Sequence, residues 1–176
     1  MPTTILTLPG IHGSGADHWQ TAWEHALPGA CRVPAADWDR PVCAAWVAAL
    51  EQAVADAGPD VVLVAHSLGC LQVVHFARDT RLRVRAALLV APPDPDGAVF
   101  PVEASGFAPL PTSRLPFSST LVASTDDPYA GWAFARRCAD AWGSRLVNIG
   151  PRGHINAQSG LADWPEGQRL LAELTG

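Results

Sequence analysis

Residues 61–65, Val-Val-Leu-Val-Ala, are all apolar and lead without a break into Ala65-His66-Ser67-Leu68-Gly69. A strand-length run with no polar alternation suits burial on both faces, the environment of a central strand in a parallel sheet. The pentapeptide after it is a variant of G-x-S-x-G with alanine in first position. Such a pattern arises about 0.2 times at random in a chain of this composition, so alone it is only suggestive. Its setting adds the constraint. Where a buried strand turns directly into a helix, small residues around Ser67 let the two elements approach closely and lift the hydroxyl above the sheet edge. Ser67 as an ordinary helix N-cap would leave the glycine two residues later unexplained.

Strand-length runs and helical stretches alternate along the rest of the chain. Thr4–Leu8 is the first run, closed by Pro9-Gly10, and a helix is expected near Asp17, whose carboxylate can cap its free N–H groups. Trp19, Trp23 and Leu27 at spacing four give that helix one apolar face, read as core packing. A short strand over 31–34 precedes a helix started by Pro41, with Trp46, Leu50, Ala53, Val54 and Ala57 on one side; Gly58-Pro59 stops it. After the run at 61–65 come a helix to about Arg78, a strand over 84–91 and a Pro-rich segment, 92–118, without periodicity. A strand over 120–124, a helix over 130–142, a strand over 145–149 and a helix over 161–174 complete the order. This alternation predicts an α/β fold in one domain spanning 1–176, with about six mostly parallel strands and helices on both faces. Ligands are expected outside the carboxyl ends of the strands.

A serine hydroxyl becomes a useful nucleophile only when an imidazole removes its proton, and that imidazole needs a carboxylate to fix its tautomer. On sheets with such a turn the chain order is Ser, acid, His. Of six histidines only His154 lies beyond every candidate acid, in the Gly150-Pro151-Arg152-Gly153-His154 turn after the sixth strand. For the acid, Asp126 and Asp127 compete. Pro128 biases Asp127 toward one extended orientation, whereas Asp126 more easily serves turn hydrogen bonds, so Asp127 is favoured and Asp94 and Asp96 are the fallback. Oxyanion donors are expected from the backbone N–H groups of Leu68 and, in the loop Gly10-Ile11-His12-Gly13, of Ile11. His12 and His66 are candidates for shaping the site; His18, His25 and His75 read as surface or packing residues. Val99, Phe100, Val102 and Phe107 are candidates either for an acyl pocket or for the core.

Rival chemistries fit poorly. Gly10, Gly13 and Gly15 with Asp37 have the wrong order for a dinucleotide turn, and Asp17 would sit where pyrophosphate must. No H-E-x-x-H occurs and His66 with Cys70 is a lone pair, so neither metal nor other cofactor is expected. The net charge is −5 and all twelve basic residues are arginine, clustered only at Arg81, Arg83 and Arg85, which argues against nucleic acid. No apolar run reaches a membrane span, and the N-terminal stretch lacks the features of a signal peptide. Four widely spaced cysteines, Cys31, Cys43, Cys70 and Cys138, fit reduced thiols, so a cytoplasmic location is expected.

Several stretches together resemble the small lidless α/β-hydrolase-fold serine hydrolases of the retinoblastoma-binding protein 9 and YdeN-like family. They are Leu8-Pro9-Gly10, His18-Trp19-Gln20 with Trp23-Glu24, Asp37-Trp38 with Trp46, and Ala65-His66-Ser67-Leu68-Gly69. Further along come Ser124-Thr125-Asp126-Asp127-Pro128-Tyr129, Gly153-His154-Ile155-Asn156, Ser159-Gly160 and Trp164-Pro165. The resemblance runs from about Ile5 to Leu174. It implies a minimal α/β-hydrolase fold, Ser67, Asp127 and His154 as nucleophile, acid and base, and hydrolysis of small-molecule carboxylic esters, with amide or aminoacyl substrates as variants. Asn156 joins His12 and His66 as a site-shaping candidate. The binding role of animal members toward a pocket protein has no Leu-x-Cys-x-Glu motif to support it, and no protein partner is indicated. The competing expectation is a catalytically silent binding protein that uses the same cleft for ligand or partner recognition.

Overall fold

The computed structural model describes residues 3–176. Six strands form one sheet in the order β2-β1-β3-β4-β5-β6, every neighbouring pair parallel. They are β1 (Thr4–Leu8), β2 (Ala30–Arg32), β3 (Val61–His66), β4 (Ala86–Val90), β5 (Ser118–Ala123) and β6 (Arg145–Asn148). The completely apolar runs occupy the middle: β3 and β4 are buried at every residue, as double-sided packing requires.

Alternation along each strand divides the core. Leu63 and Ala65 face one side with Leu6, Leu8 and Leu89, covered by α2 (Cys43–Ala57), α3 (Leu68–Asp79) and α4 (Trp132–Trp142). Val62 and Val64 face the other with Leu88, Val90 and Val122, covered by α1 (Trp19–Ala26) and α5 (Pro165–Thr175). Trp19 and Trp23 of α1 pack there against Trp164. Helices on both faces of a parallel sheet, with right-handed crossovers as the default, leave the loops after β1, β3, β5 and β6 along one edge.

Element ends differ from the sequence reading for local reasons. Asp17 does not cap α1: His18 is the N-cap residue, and its side chain accepts from the Gln20 N–H. The second helix starts at Cys43, not Pro41, because Pro41 and Cys43 are tied to Ser105 by backbone hydrogen bonds of 2.9 Å each. The last helix starts at Pro165 rather than near 161, because the residue before a proline avoids helical backbone, and Trp164 sits at φ 45°. The second strand is Ala30–Arg32 and ends before Pro34, which has no N–H to donate to a ladder. Among the described residues, no helix is long and apolar enough to cross a membrane.

Candidate active site

β3 ends in a sharp turn at Ser67, which holds φ 54° and ψ −124° and passes straight into α3. Such backbone is uncommon for a residue with a side chain and is a local strain that the surrounding packing must sustain. Two close approaches sustain it. A Cβ on Gly69 would overlap the Leu8 carbonyl, and one on Gly10 would lie 2.9 Å from the Ser67 Cβ and 3.1 Å from its Oγ. The loop after β1 therefore lies directly against the turn, and only glycine fits at both contacts.

The loops after β5 and β6 meet Ser67 from the other side. His154 Nε2 is 2.7 Å from Ser67 Oγ, and His154 Nδ1 is 3.0 and 2.9 Å from the two carboxylate oxygens of Asp127. A carboxylate only accepts, so Nδ1 carries the imidazole hydrogen and Nε2 accepts from the serine hydroxyl. Asp127 is held in turn by the Tyr129 N–H at 2.9 Å, and the Tyr129 ring lies 4.5 Å from that of His154.

The adjacent Asp126 makes a different set of contacts. One of its oxygens accepts from the Ser124 hydroxyl at 2.6 Å and from the Gly153 N–H at 2.7 Å, while Ser124 Oγ accepts from the Arg152 N–H at 2.9 Å. It joins the two loops rather than touching the imidazole. The Ser124 hydroxyl and then the Gly153 N–H hold its carboxyl below the usual range. Asp94 and Asp96 share a turn, where the Asp96 N–H binds Asp94 Oδ1, and neither contacts His154.

The N–H groups of Ile11 and Leu68 have no hydrogen-bond partner among the described residues, and both residues line the cavity over Ser67. Leu68 N–H also opens α3, where the helix dipole favours negative charge. The cavity has a volume of about 310 Å³. His12, His66 and Asn156 line it as expected candidates, with Pro93, Pro101, Tyr129 and Gln158. His12 stands at the exposed rim, paired with Asp39 at 2.9 Å. Of the segment 92–118, only the two prolines reach the cavity. Val99 and Val102 are exposed, and Phe107 packs on Trp46 and Leu71 with Phe100 against it, so none of these four lines an acyl pocket.

His18 is the residue that sequence reading missed. Read as a surface or packing residue, it is the second, 5% exposed, and it also lines the cavity beside His66. Burial first, then Arg32 and His154, lower its pKa from 6.5 to about 4. His66 is lowered well below the ordinary value, mainly by burial, and its Nε2–H donates to the His154 carbonyl at 2.8 Å. Trp19 secures the next carbonyl, that of Ile155, through its indole N–H at 2.8 Å. Among the described residues, no group of three or more His, Cys, Asp or Glu side chains is arranged to hold a metal ion. The three buried cysteines serve packing: burial raises the thiol pKa of Cys43 to about 11 and of Cys138 to about 12, and raises Cys70 further.

The unfolded chain takes up a proton between about pH 6.5 and 4 that folded His18 refuses, so stability falls as pH drops through that window. The expected loss from His18 is about 2 kcal/mol between pH 7 and pH 5. Urea midpoints at the two pH values measure it. His18→Asn keeps a good N-cap but removes the titrating ring, so it should flatten the slope; an unchanged slope would refute the assignment.

A buried strand ending in a strained serine turn, with a hydrogen-bonded imidazole and carboxylate on the next loops of a parallel sheet, defines a minimal α/β-hydrolase fold. The serine hydrolase family matches residues 5–173, and the chain belongs to that family. A protein from Pectobacterium atrosepticum described as a YdeN-like hydrolase is 30% identical, with a TM-score of 0.88 over 98% of this chain and 90% of that one. The ydeN gene product of B. subtilis is 18% identical, with a TM-score of 0.82 over 98% of each chain. A thermophilic esterase from Thermogutta terrifontis shares the fold at 17% identity, with a TM-score of 0.69 over 97% of this chain and 81% of that one. No curated protein matches significantly.

Proposed function

We propose that this serine hydrolase cleaves small carboxylic esters through an acyl-enzyme on Ser67, without a cofactor. The observation that carries the reading is the unbroken relay from Ser67 Oγ through His154 to Asp127, with contacts of 2.7 and 2.9 Å. As Ser67 Oγ attacks the acyl carbon, its proton passes to His154 Nε2, and Asp127 stabilises the resulting imidazolium. The carbonyl oxygen becomes an oxyanion between the N–H groups of Leu68 and Ile11; loss of one such donor typically costs about 3 kcal/mol. His154 then protonates the departing alkoxide, which leaves as the alcohol. Water enters, gives its proton to His154 and attacks the ester on Ser67; collapse releases the acid and returns the proton to Ser67. Amides follow the same course with a poorer leaving group.

The test is a fluorophosphonate probe applied to the purified full chain, with the adduct mapped by peptide mass. A single adduct on the peptide bearing Ser67 is expected. A correctly folded protein that takes no label sinks the reading and favours a binding role for the cleft.

A further inference from the structure

His66 is the last residue of β3, paired with Val90, and the next N–H along the chain, that of Ser67, donates to the Val90 carbonyl at 2.9 Å. Strand alternation turns its side chain to the face of Val62 and Val64, away from Leu63 and Ala65. There its ring lies 5.0 Å from that of His154, and the residue is buried. A carbonyl oxygen can only accept, so the 2.8 Å contact with the His154 carbonyl puts the ring hydrogen on Nε2. One residue is thus covalently joined to the nucleophile and hydrogen-bonded to the main chain of the base.

The turn that presents the base needs such a hold. His154 sits between Gly153 at φ 56° and Ile155 at φ 52°, the second being left-handed backbone on a β-branched residue. A turn of this kind persists only where its surroundings over-determine it. Asp126 and Ser124 hold the N–H groups of Gly153 and Arg152, and Trp19 holds the Ile155 carbonyl; the hydrogen bond to the main chain of His154 itself comes from His66. We infer that His66 is a positioning residue, whose Nε2–H fixes the His154 main chain so that the imidazole stays within hydrogen-bonding reach of Ser67 Oγ. This rests on the ester hydrolase reading above, and His66 acts in it through His154 rather than on the substrate. The hold must also be neutral. A cation at this distance would oppose the imidazolium that forms on His154 during acyl transfer, and burial keeps the His66 ring uncharged.

The experiment compares His66→Leu, which removes the donor, with His66→Gln, whose amide N–H replaces that of the ring. Steady-state kinetics with ethyl butanoate and the limiting rate of fluorophosphonate labelling at Ser67 are read at a temperature where circular dichroism shows each protein folded. A displacement of about 1 Å between reacting groups costs about 10²-fold. His66→Leu should therefore lose roughly 30- to 100-fold in kcat and in labelling rate with KM within about twofold of wild type, and His66→Gln should return both rates to within about fivefold. Packing alone would favour the apolar leucine over glutamine. A folded His66→Leu within about threefold of the wild-type rates, a glutamine variant no better than the leucine one, or a loss confined to KM overturns the inference. Imidazole nitrogen NMR on the wild type needs no variant to fold: between about pH 5 and 8 the His66 ring should carry hydrogen at Nε2 alone, and a hydrogen on Nδ1 overturns the inference equally. A wild type that labels at Ser67 beside an unimpaired His66→Leu removes this inference alone; a folded wild type that takes no label removes the parent reading and this inference with it.

Discussion

Ser67→Ala should lower kcat/KM for a short ester by roughly 10⁴- to 10⁶-fold and abolish fluorophosphonate labelling, while leaving the melting temperature close to that of the wild type. The size follows from the chemistry. Without Oγ there is no acyl-enzyme, and only the N–H groups of Leu68 and Ile11 and simple binding remain to assist water. Two neighbouring substitutions sharpen the expectation. In Asp127→Asn the Tyr129 N–H keeps the remaining oxygen, so an amide NH2 replaces the oxygen 2.9 Å from His154 Nδ1, and the change should cost about 10⁴ in kcat through the wrong tautomer. Asp126→Asn leaves the imidazole untouched and weakens the tie between Ser124 and Gly153, so its main effect should fall on stability. Steady-state kinetics and melting curves on the three variants separate these cases; equal losses of activity at 126 and 127 would contradict the division of labour.

Gly69→Ala is expected to be the most damaging single methyl group in the chain. The added carbon overlaps the Leu8 carbonyl and lies 2.9 Å from the Pro9 carbonyl oxygen, both backbone atoms with nowhere to go. Relief requires α3 to move off β1 or Ser67 to abandon its turn. Overpacking of this kind costs about 3 kcal/mol or more, or roughly 6–12 °C in melting temperature for a chain of this size. Gly15→Ala is the control, since a Cβ there meets nothing within 4 Å and the change should stay within about 1 kcal/mol. Calorimetry on the pair settles the matter, and a Gly69→Ala protein as stable as the control would show that strand and helix are less tightly apposed than described.

Much of this architecture is legible in the chain because the informative residues are local. The apolar β3 and β4, the small residues around Ser67, and Asp126-Asp127-Pro128 after β5 each announce their setting within a few positions. So does the glycine turn before His154. The contrast between Asp126 and Asp127 follows from the proline, which fixes the backbone of the second and leaves the first to the turn. What stays hidden depends on distant partners. His18 looks like a helix-start histidine beside a better cap, Asp17; its burial involves the ring of His66, which lies 48 residues further along. Val99 and Val102 look like pocket material by composition, yet Pro93 and Pro101 take the positions over the cavity. Trp19 is read correctly as core, but its indole N–H bond to Ile155 leaves no trace in helical spacing.

That indole bond links the first helix to the turn that presents His154, and the one from Trp23 to the Asp163 carbonyl at 2.7 Å ties the same helix to the segment that leads into the last helix. The imidazole reaches its working position only once segments from opposite ends of the polypeptide have docked. Turnover should therefore report completed assembly, vanishing under mild denaturation while circular dichroism still registers an intact sheet. A fragment pair cut between them would regain activity only upon reassociation.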